Sequence, residues 1–488
     1  MMAVSLYTSR VVLNALGVED FGIYNVVGGV VAMFTVLSGS LSAAISRFIT
    51  YELGKGNQEN LNKIFSSAVT IQIGLAGIII LLAETIGIWF LNVKMNIPEM
   101  RMEAANWVFQ FSILTFAINL ISVPYNASII AHEKMSAFAY ISILEAIGKL
   151  AIAYLIVVSP MDKLIFYAIL MCVVALIVRF TYGNYCKRHF SECTYHFIWD
   201  KQLLKQMFGF AGWNFIGAAS AVLRDQGGNV VINLFCGPTV NAARGIAFQV
   251  NTAVNQFVTN FMTALNPQIT KSYAAENKEY MMTLIFQGAR LSFYMLLLLS
   301  LPILVNTHYI LELWLKIVPE HAVLFVQLVL IFAMSESISQ PLITAMLATG
   351  KIRNYQIIVG GLQMTNLPIS YLLLRLGFFP EIVIIVAICI SQCCLAARLV
   401  LLRGMIGVSI RKYLQKVYFN ILTVSAIAIV LPLISTQYID ETFIGFIIVS
   451  LIAVVCTIIS IYFIGCNRQE RQFIHQKLDT IRTKITRK

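Results

Sequence analysis

Apolar runs of roughly 20 residues recur along nearly the whole chain, separated by short polar stretches. A helix of about that length crosses the roughly 30 Å of hydrocarbon in a bilayer, because each residue advances about 1.5 Å and the helix satisfies its own backbone N–H and C=O groups. Read this way, the pattern predicts spans at 1–16, 22–48, 64–91, 105–131, 137–158 and 163–184. After a polar stretch it predicts spans at 207–236, 240–267, 284–306, 321–348, 355–376 and 380–400, then 417–436 and 442–465. The expected fold is an all-α polytopic membrane protein of about 14 transmembrane helices, arranged as six, six and two. The expected organisation is an N-lobe over 1–184, a cytoplasmic linker over 185–206, a C-lobe over 207–402, two extra transmembrane helices within 403–466, and a basic cytoplasmic tail over 467–488.

The second bundle repeats the first. Ile49, Thr50, Asn57 and Glu59 recur 220 positions later as Ile269, Thr270, Asn277 and Glu279. Pro124, Ala131, Lys134, Tyr154 and Leu155 recur 217 positions later as Pro341, Ala348, Lys351, Tyr371 and Leu372. Two blocks at nearly one offset point to an internal duplication, a common way for transporters to build two lobes around a central site. Six spans per lobe give both lobes the same starting orientation, so the repeat is parallel. The span beginning near Met207 maps to a position before Met1, so the first span reads as truncated.

Composition narrows the class further. With 59% hydrophobic and 12% charged residues, the chain cannot clothe a soluble surface of its size, which excludes a soluble enzyme. The net charge of +12 does not point to nucleic acid, because Lys and Arg lie in short loops and in the tail instead of on one soluble face. One set of alternate loops holds Lys55, Lys63, Lys134, Lys187, Arg188, Lys201, Lys205, Lys271, Lys278, Lys351, Arg353, Arg403, Arg411, Lys412 and Lys416; the other holds little beyond Lys94, Arg101, Lys163 and Lys316. Positive charge stays on the cytoplasmic side, so both termini are expected inside, with the tail on anionic lipid. The nine cysteines fall mostly inside apolar runs and support no disulfide framework. No cleavable signal peptide is expected at the N-terminus.

Ionisable groups at mid-span are the first candidates for a site, since burying one in the bilayer costs about 2.5 to 3.5 kcal/mol. Arg224 and Asp225 lie near the centre of the seventh span, before Gly227, Gly228 and Asn229, where missing side chains are expected to let the helix bend. Arg10 lies in the matching first span, so both lobes offer a guanidinium from equivalent helices. The planar Arg fork suits phosphate, and two forks suit a pyrophosphate. Direct pairing of Arg224 with Asp225 is expected to be poor, because adjacent residues point about 100° apart on a helix. Glu336, between Ser335 and Ser337, has no cation on its own helix and is a candidate for carrying H+ or Na+ together with Asp225; an interhelical hydrogen bond is the competing reading. Glu145 and Lys149 read as an intrahelical ion pair. Arg47, Arg179 and Arg290 lie near span ends, where long side chains snorkel; Arg47 and Arg290 are candidates for an inward mouth.

The eighth span carries Arg244, Asn251, Asn255, Thr259, Met262 and Asn266 at helical spacing, a polar stripe that suits sugar hydroxyls or interhelical bonds. Cys186, His189, Cys193 and His196 superficially suggest a metal, but the segment is too short for a closed zinc site, and none is expected. No Gly-Lys phosphate loop, nucleophile elbow or pair of catalytic carboxylates appears, so no enzyme activity and no cofactor are expected.

The segment Leu16-Gly17-Val18-Glu19-Asp20-Phe21-Gly22-Ile23-Tyr24, with Ser46-Arg47-Phe48-Ile49 and Gly54-Lys55-Gly56-Asn57, resembles the polysaccharide flippases of the multidrug/oligosaccharidyl-lipid/polysaccharide (MOP) exporter superfamily. The resemblance extends over essentially the whole chain. It implies export of undecaprenyl-pyrophosphate-linked oligosaccharide across a bacterial inner membrane by alternating access, for O-antigen, capsule or related glycans. The implied partners are that lipid-linked oligosaccharide, membrane lipids and polysaccharide polymerase machinery, with coupling to H+, Na+ or the membrane potential. The roles of Arg10 and Arg224 rest on physics, not on the resemblance. The rivals are an ion-coupled multidrug antiporter of the same superfamily and a membrane glycan polymerase or ligase. Mid-span cations argue against the first, and the lack of a long external loop against the second.

Overall fold

The computed structural model describes residues 8, 11–12, 14–17, 20–21, 23–24, 27, 35–93, 97–159, 161–198, 200–316, 318–468, 470–472 and 475–476. Among them the chain is helical, with no strand. The helices are α1 (Thr35–Lys55), α2 (Gln58–Val93), α3 (Glu99–Ala131), α4 (Met135–Val158) and α5 (Lys163–His189); α6 (Lys201–Ala274), α7 (Lys278–Val305) and the short α8 (Thr307–Leu315); then α9 (Ala322–Thr349), α10 (Arg353–Arg375), α11 (Ile382–Ile406), α12 (Ile410–Tyr438) and α13 (Phe443–Gly465). Ten of them, all but α1, α6 and α8, are long and apolar enough to cross a membrane. The chain is a multi-pass membrane protein. The 74 residues of α6 are ample for two membrane crossings and break at Gly237, whose φ of 81° and ψ of 179° no side-chain-bearing residue adopts readily. With α1 and the two arms of α6 these make thirteen among the described residues, compatible with the fourteen expected once the apolar run at 1–16 is counted.

The bend expected at Gly227 and Gly228 falls instead at Gly237. The glycine pair serves close packing: a Cβ on Gly227 would lie 2.2 Å from Leu367 Cδ1 of α10, and one on Gly228 would lie 3.1 Å from the Arg244 guanidinium. Missing side chains permit either a bend or a close approach, and here the neighbours use them for the second.

The chain divides into two units. The first holds residues up to 219 and Thr270–Glu276; the second holds Ser220–Ile269 and everything from Asn277. In the first unit α3 is the central helix, packed on α5, α2 and α1. In the second, α9 packs on α7 and α11, and the last hairpin, α12 with α13, packs on α7. Polar ties fasten that hairpin: the Tyr294 hydroxyl of α7 donates to Asn420 Oδ1, and Asn420 donates to the Ile464 carbonyl at 3.1 Å.

The internal repeat is visible in local geometry. Asn57 caps α2 and Asn277 caps α7, each accepting from the amide three residues on at 3.1 Å. Glu59 and Glu279 follow in the first turns, complementing the helix dipoles. Pro124 and Pro341 sit inside α3 and α9. Glu133 and Gly350, 217 positions apart, both turn the chain after those helices with positive φ.

Candidate functional site

In the second unit a cavity of about 360 Å³ lies between α6, α7's neighbour α9 and the polar stripe of the second arm of α6. Its wall includes Arg224, Asp225, Asn251, Asn255, Glu336 and Gln340. The helical period that puts Asn251, Asn255, Thr259 and Asn266 on one face of α6 turns that face into the cavity. Asn255 donates to Asn251 at 2.6 Å, and Thr344 of α9 donates to Asn266 at 2.6 Å. The stripe is thus partly tied up and partly open, an arrangement that offers amide and hydroxyl groups to a polar ligand.

Arg224 does pair with Asp225, against expectation: Nε donates to Oδ1 at 2.8 Å and Nη2 to Oδ2 at 3.4 Å, with the guanidinium 5.1 Å from the Phe332 ring. The Cα–Cβ bonds diverge as the helix dictates, but the four torsions of Arg bring the fork back to its neighbour. With the Arg224 side chain 14% exposed, the carboxylate of the next residue compensates the largely buried cation.

Glu336 finds its partner on another helix. Ser391 of α11 donates to Glu336 Oε1 at 2.5 Å and lies 3.0 Å from the Ser335 hydroxyl. Gln392 donates to Ser335 at 2.5 Å, and the Tyr418 hydroxyl donates to Gln392 at 3.0 Å. A chain of hydrogen bonds therefore runs from the cavity carboxylate to α12.

Two buried arginines complete the polar interior. Arg244 donates to Asn229 and, at 3.0 Å, to the Asp225 carbonyl, and lies over Phe248 at 4.2 Å. It ties the two arms of α6 across the Gly237 break. Arg398 is 1% exposed, donates to the Tyr355 hydroxyl at 3.3 Å, and leaves Nη1 without a partner. Sequence reasoning missed Arg398, which reads as one more cation near a span end; Ser391 and Gln392, about two helical turns before it, carry no charge to draw attention.

The other candidates lie elsewhere. Arg290 is buried on α7, where it donates to the Gly465 carbonyl at 2.9 Å and pairs with Glu470 at 2.5 Å. Arg47 lies in the first unit, stacked over Phe48, Tyr51 and Phe210 at 4.6 to 5.7 Å. Arg10 falls outside the described residues. Glu145 and Lys149 form the intrahelical pair at 2.6 Å. Cys186 points its thiol at the Tyr125 carbonyl, 3.4 Å away, and His189 bonds the Tyr185 carbonyl of its own helix. Among the described residues no three His, Cys, Asp or Glu groups are placed to hold a metal ion.

Comparison with known proteins agrees with this architecture. A MATE-family multidrug resistance transporter of the MOP superfamily, in an outward-facing conformation, superposes with a TM-score of 0.69 at 14% identity, over 83% of this chain and 92% of that one. The Vibrio cholerae MATE transporter VcmN in its bent form gives 0.71 at 15% identity, over 85% and 94%. A MOP superfamily transporter from Pyrococcus furiosus gives 0.66 at 14% identity, over 83% and 92%. At such identities the likeness establishes the fold, which is that of MOP transporters. Among curated proteins, the uncharacterized membrane protein EpsK of Bacillus subtilis (strain 168) is 19% identical over 301 residues, 61% of this chain and 58% of its own length. Residues 3–273, more than half of the chain, match the family described as polysaccharide biosynthesis protein, and the chain belongs to that family.

Proposed function

We propose that this protein is a flippase that moves an undecaprenyl-pyrophosphate-linked oligosaccharide from the cytoplasmic to the outer leaflet of a bacterial inner membrane by alternating access. The observation that carries the reading is the cavity wall, an amide and hydroxyl stripe beside the Arg224 guanidinium, in a chain of a polysaccharide biosynthesis family. The stripe matches sugar hydroxyls, the guanidinium matches phosphate, and the polyprenyl tail stays in lipid. Arg10 is the first lobe's candidate for the same role. The Pyrococcus furiosus neighbour is described by a binding pocket of reverse polarity that suggests a different function of that transporter.

Asp225 occupies the place on Arg224 that a phosphate of the cargo would take. Cargo therefore engages Arg224 when that carboxylate swings away or is protonated, which links anion binding to the ionisation of a cavity acid. Glu336, at the head of the hydrogen-bonded chain to Tyr418, is the second coupling candidate. The driving ion in this scheme is H+ or Na+, or the membrane potential acts directly on the charged headgroup.

The test is complementation of a flippase-deleted strain by the wild type and by Arg224→Ala at matched expression. The expected result is surface glycan with wild type, and lipid-linked intermediates held on the cytoplasmic leaflet with the variant. Full activity of Arg224→Ala would remove the cationic half of the site. A second reading, an ion-coupled multidrug antiporter, draws on the two carboxylates in the same wall, Asp225 and Glu336. Efflux of a cationic dye that Asp225→Asn abolishes, with no glycan rescue, would favour it.

A further inference from the structure

A cavity of about 1010 Å³ in the first unit lies at the far end of α5, lined also by residues 193–195. Its wall carries Arg179, Lys187, Arg188 and His189, and among its lining residues there is no Asp or Glu. The nearest acid in sequence, Glu192, is turned away: it is buried, bonded by His132 at 2.5 Å and by Gln58 at 3.1 Å. Exposed Lys and Arg are ordinary on the cytoplasmic side of a membrane protein; what distinguishes this hollow is that three permanent cations line it with no acid among them.

Arg179 shows that the hollow is built and not incidental. Its guanidinium lies flat on the Tyr125 ring, 3.9 Å from the centroid. One turn later Gly183 leaves the space the fork occupies, since a Cβ there would lie 2.8 Å from Nη1. No carboxylate among the described residues pairs with Arg179. The stacked face leaves the N–H edge for an acceptor, the geometry in which Arg binds phosphate oxygens. Arg179 lies five residues before the end of the span expected at 163–184, about 8 Å at the helical rise, so its long side chain reaches the boundary between hydrocarbon and headgroups. Phe180, 74% exposed, lines the cavity with apolar surface of the kind that meets acyl chains.

We propose that this cavity is a binding site for the phosphodiester headgroup of an anionic phospholipid in the leaflet on the cation-rich side of the membrane. Arg179 holds the phosphate, Lys187 and Arg188 close over it from the helix end, and the acyl chains lie along Phe180. Nothing in this requires the transported cargo, because the site lies in the first unit and uses none of the cavity residues of the second.

The test is native mass spectrometry of the full chain from nanodiscs of phosphatidylcholine containing increasing phosphatidylglycerol, with bound lipid counted per protein. Wild type is expected to retain phosphatidylglycerol after delipidation, and Arg179→Gln and the double variant Lys187→Gln/Arg188→Gln to bind about fivefold to tenfold less well. Lys63→Gln, a cation outside the cavity, should bind as wild type does. The double variant changes exposed side chains only, so it keeps the test open if Arg179→Gln folds poorly. The proposal fails if Lys63→Gln loses as much as the cavity variants, which would mean general surface attraction. It fails also if phosphatidylcholine is retained equally, if inorganic pyrophosphate displaces the lipid, or if undecaprenyl pyrophosphate displaces it at equal concentration, which would make the hollow a cargo site.

Discussion

Each lobe carries a tie between the start of its fourth-span helix and the residue before its sixth, at positions related by the repeat, and the two ties are built from different chemistry. In the first unit Arg101 bonds Asp162 at 2.5 Å and also grips Asp20. In the second, 220 and 219 positions later, His321 bonds Glu381 at 2.6 Å, with Glu320 at 3.9 Å. The first tie is a permanently charged fork shared between two acids, and Asp162 also caps α5 by accepting from the amides of Leu164 and Ile165. The second is a single bond from a titratable ring to a carboxylate only 3% exposed, against 31% for Asp162. One architectural requirement, fastening these two helix ends together, has been met once by charge and once by burial. Duplication preserved the place of the contact and left its chemistry free.

Breaking the first tie should have the larger effect, because Arg101→Gln releases two acids toward each other at once. The expected loss is about 3 kcal/mol of stability, within the range for removing one partner from a hydrogen-bonded ionic group, measured by unfolding in mixed micelles. An acid titration sharpens it. Burial raises the Asp162 carboxyl, but bonds from Arg101 and from the Ile165 and Leu164 amides outweigh that and hold it below the usual carboxylate range. A lowered folded value stabilises above the unfolded value, about 3.9, and the contribution disappears as pH falls through the folded one. Wild type should therefore lose stability below about pH 4, and Arg101→Gln should show a shallower acid slope. An unchanged slope would mean the Arg101 bond is not what holds Asp162 ionised.

Removing His321 leaves one acid where Arg101→Gln leaves two, so His321→Ala should cost less, about 2 kcal/mol in the same assay, the lost bond to a charged group. If it costs more than Arg101→Gln, burial outweighs the number of partners and the comparison reverses. The exchange His321→Arg tests interchangeability: a fork in the second lobe should hold Glu381 at least as well as the ring does.

Much of the fold could be read from the chain because its determinants are local. Twenty-residue apolar runs define spans, and the offset of 217 to 220 exposes the duplication. The interior of the second unit was less legible, because its contacts are tertiary. Arg398 looks like a snorkelling cation until Tyr355 and Tyr413 from other helices enclose it. Arg290 looks like part of a mouth until Glu470, 180 residues on, reaches it. Backbone direction alone says little about the neighbour pairing of Arg224 with Asp225, because the Arg side chain has four torsions. A glycine pair marks a place where something approaches, without saying whether the helix bends or a neighbour fills the gap.

The smallest expected difference lies where the two lobes agree. Asn57 and Asn277 occupy equivalent positions, accept from equivalent amides at the same 3.1 Å, and precede equivalent first-turn acids. Replacing either by Ala should cost about 1 kcal/mol, the usual value of an N-cap, and the two should match within experimental error. Their additivity is the informative quantity. The caps lie in separate units, so the double variant should lose the sum of the single losses, as independent sites do. A double variant that loses much more than the sum would show the two helix starts to be coupled through the turns of positive φ at Gly56 and Glu276 that precede them, and the lobes would then share a cooperative element that neither contact alone reveals.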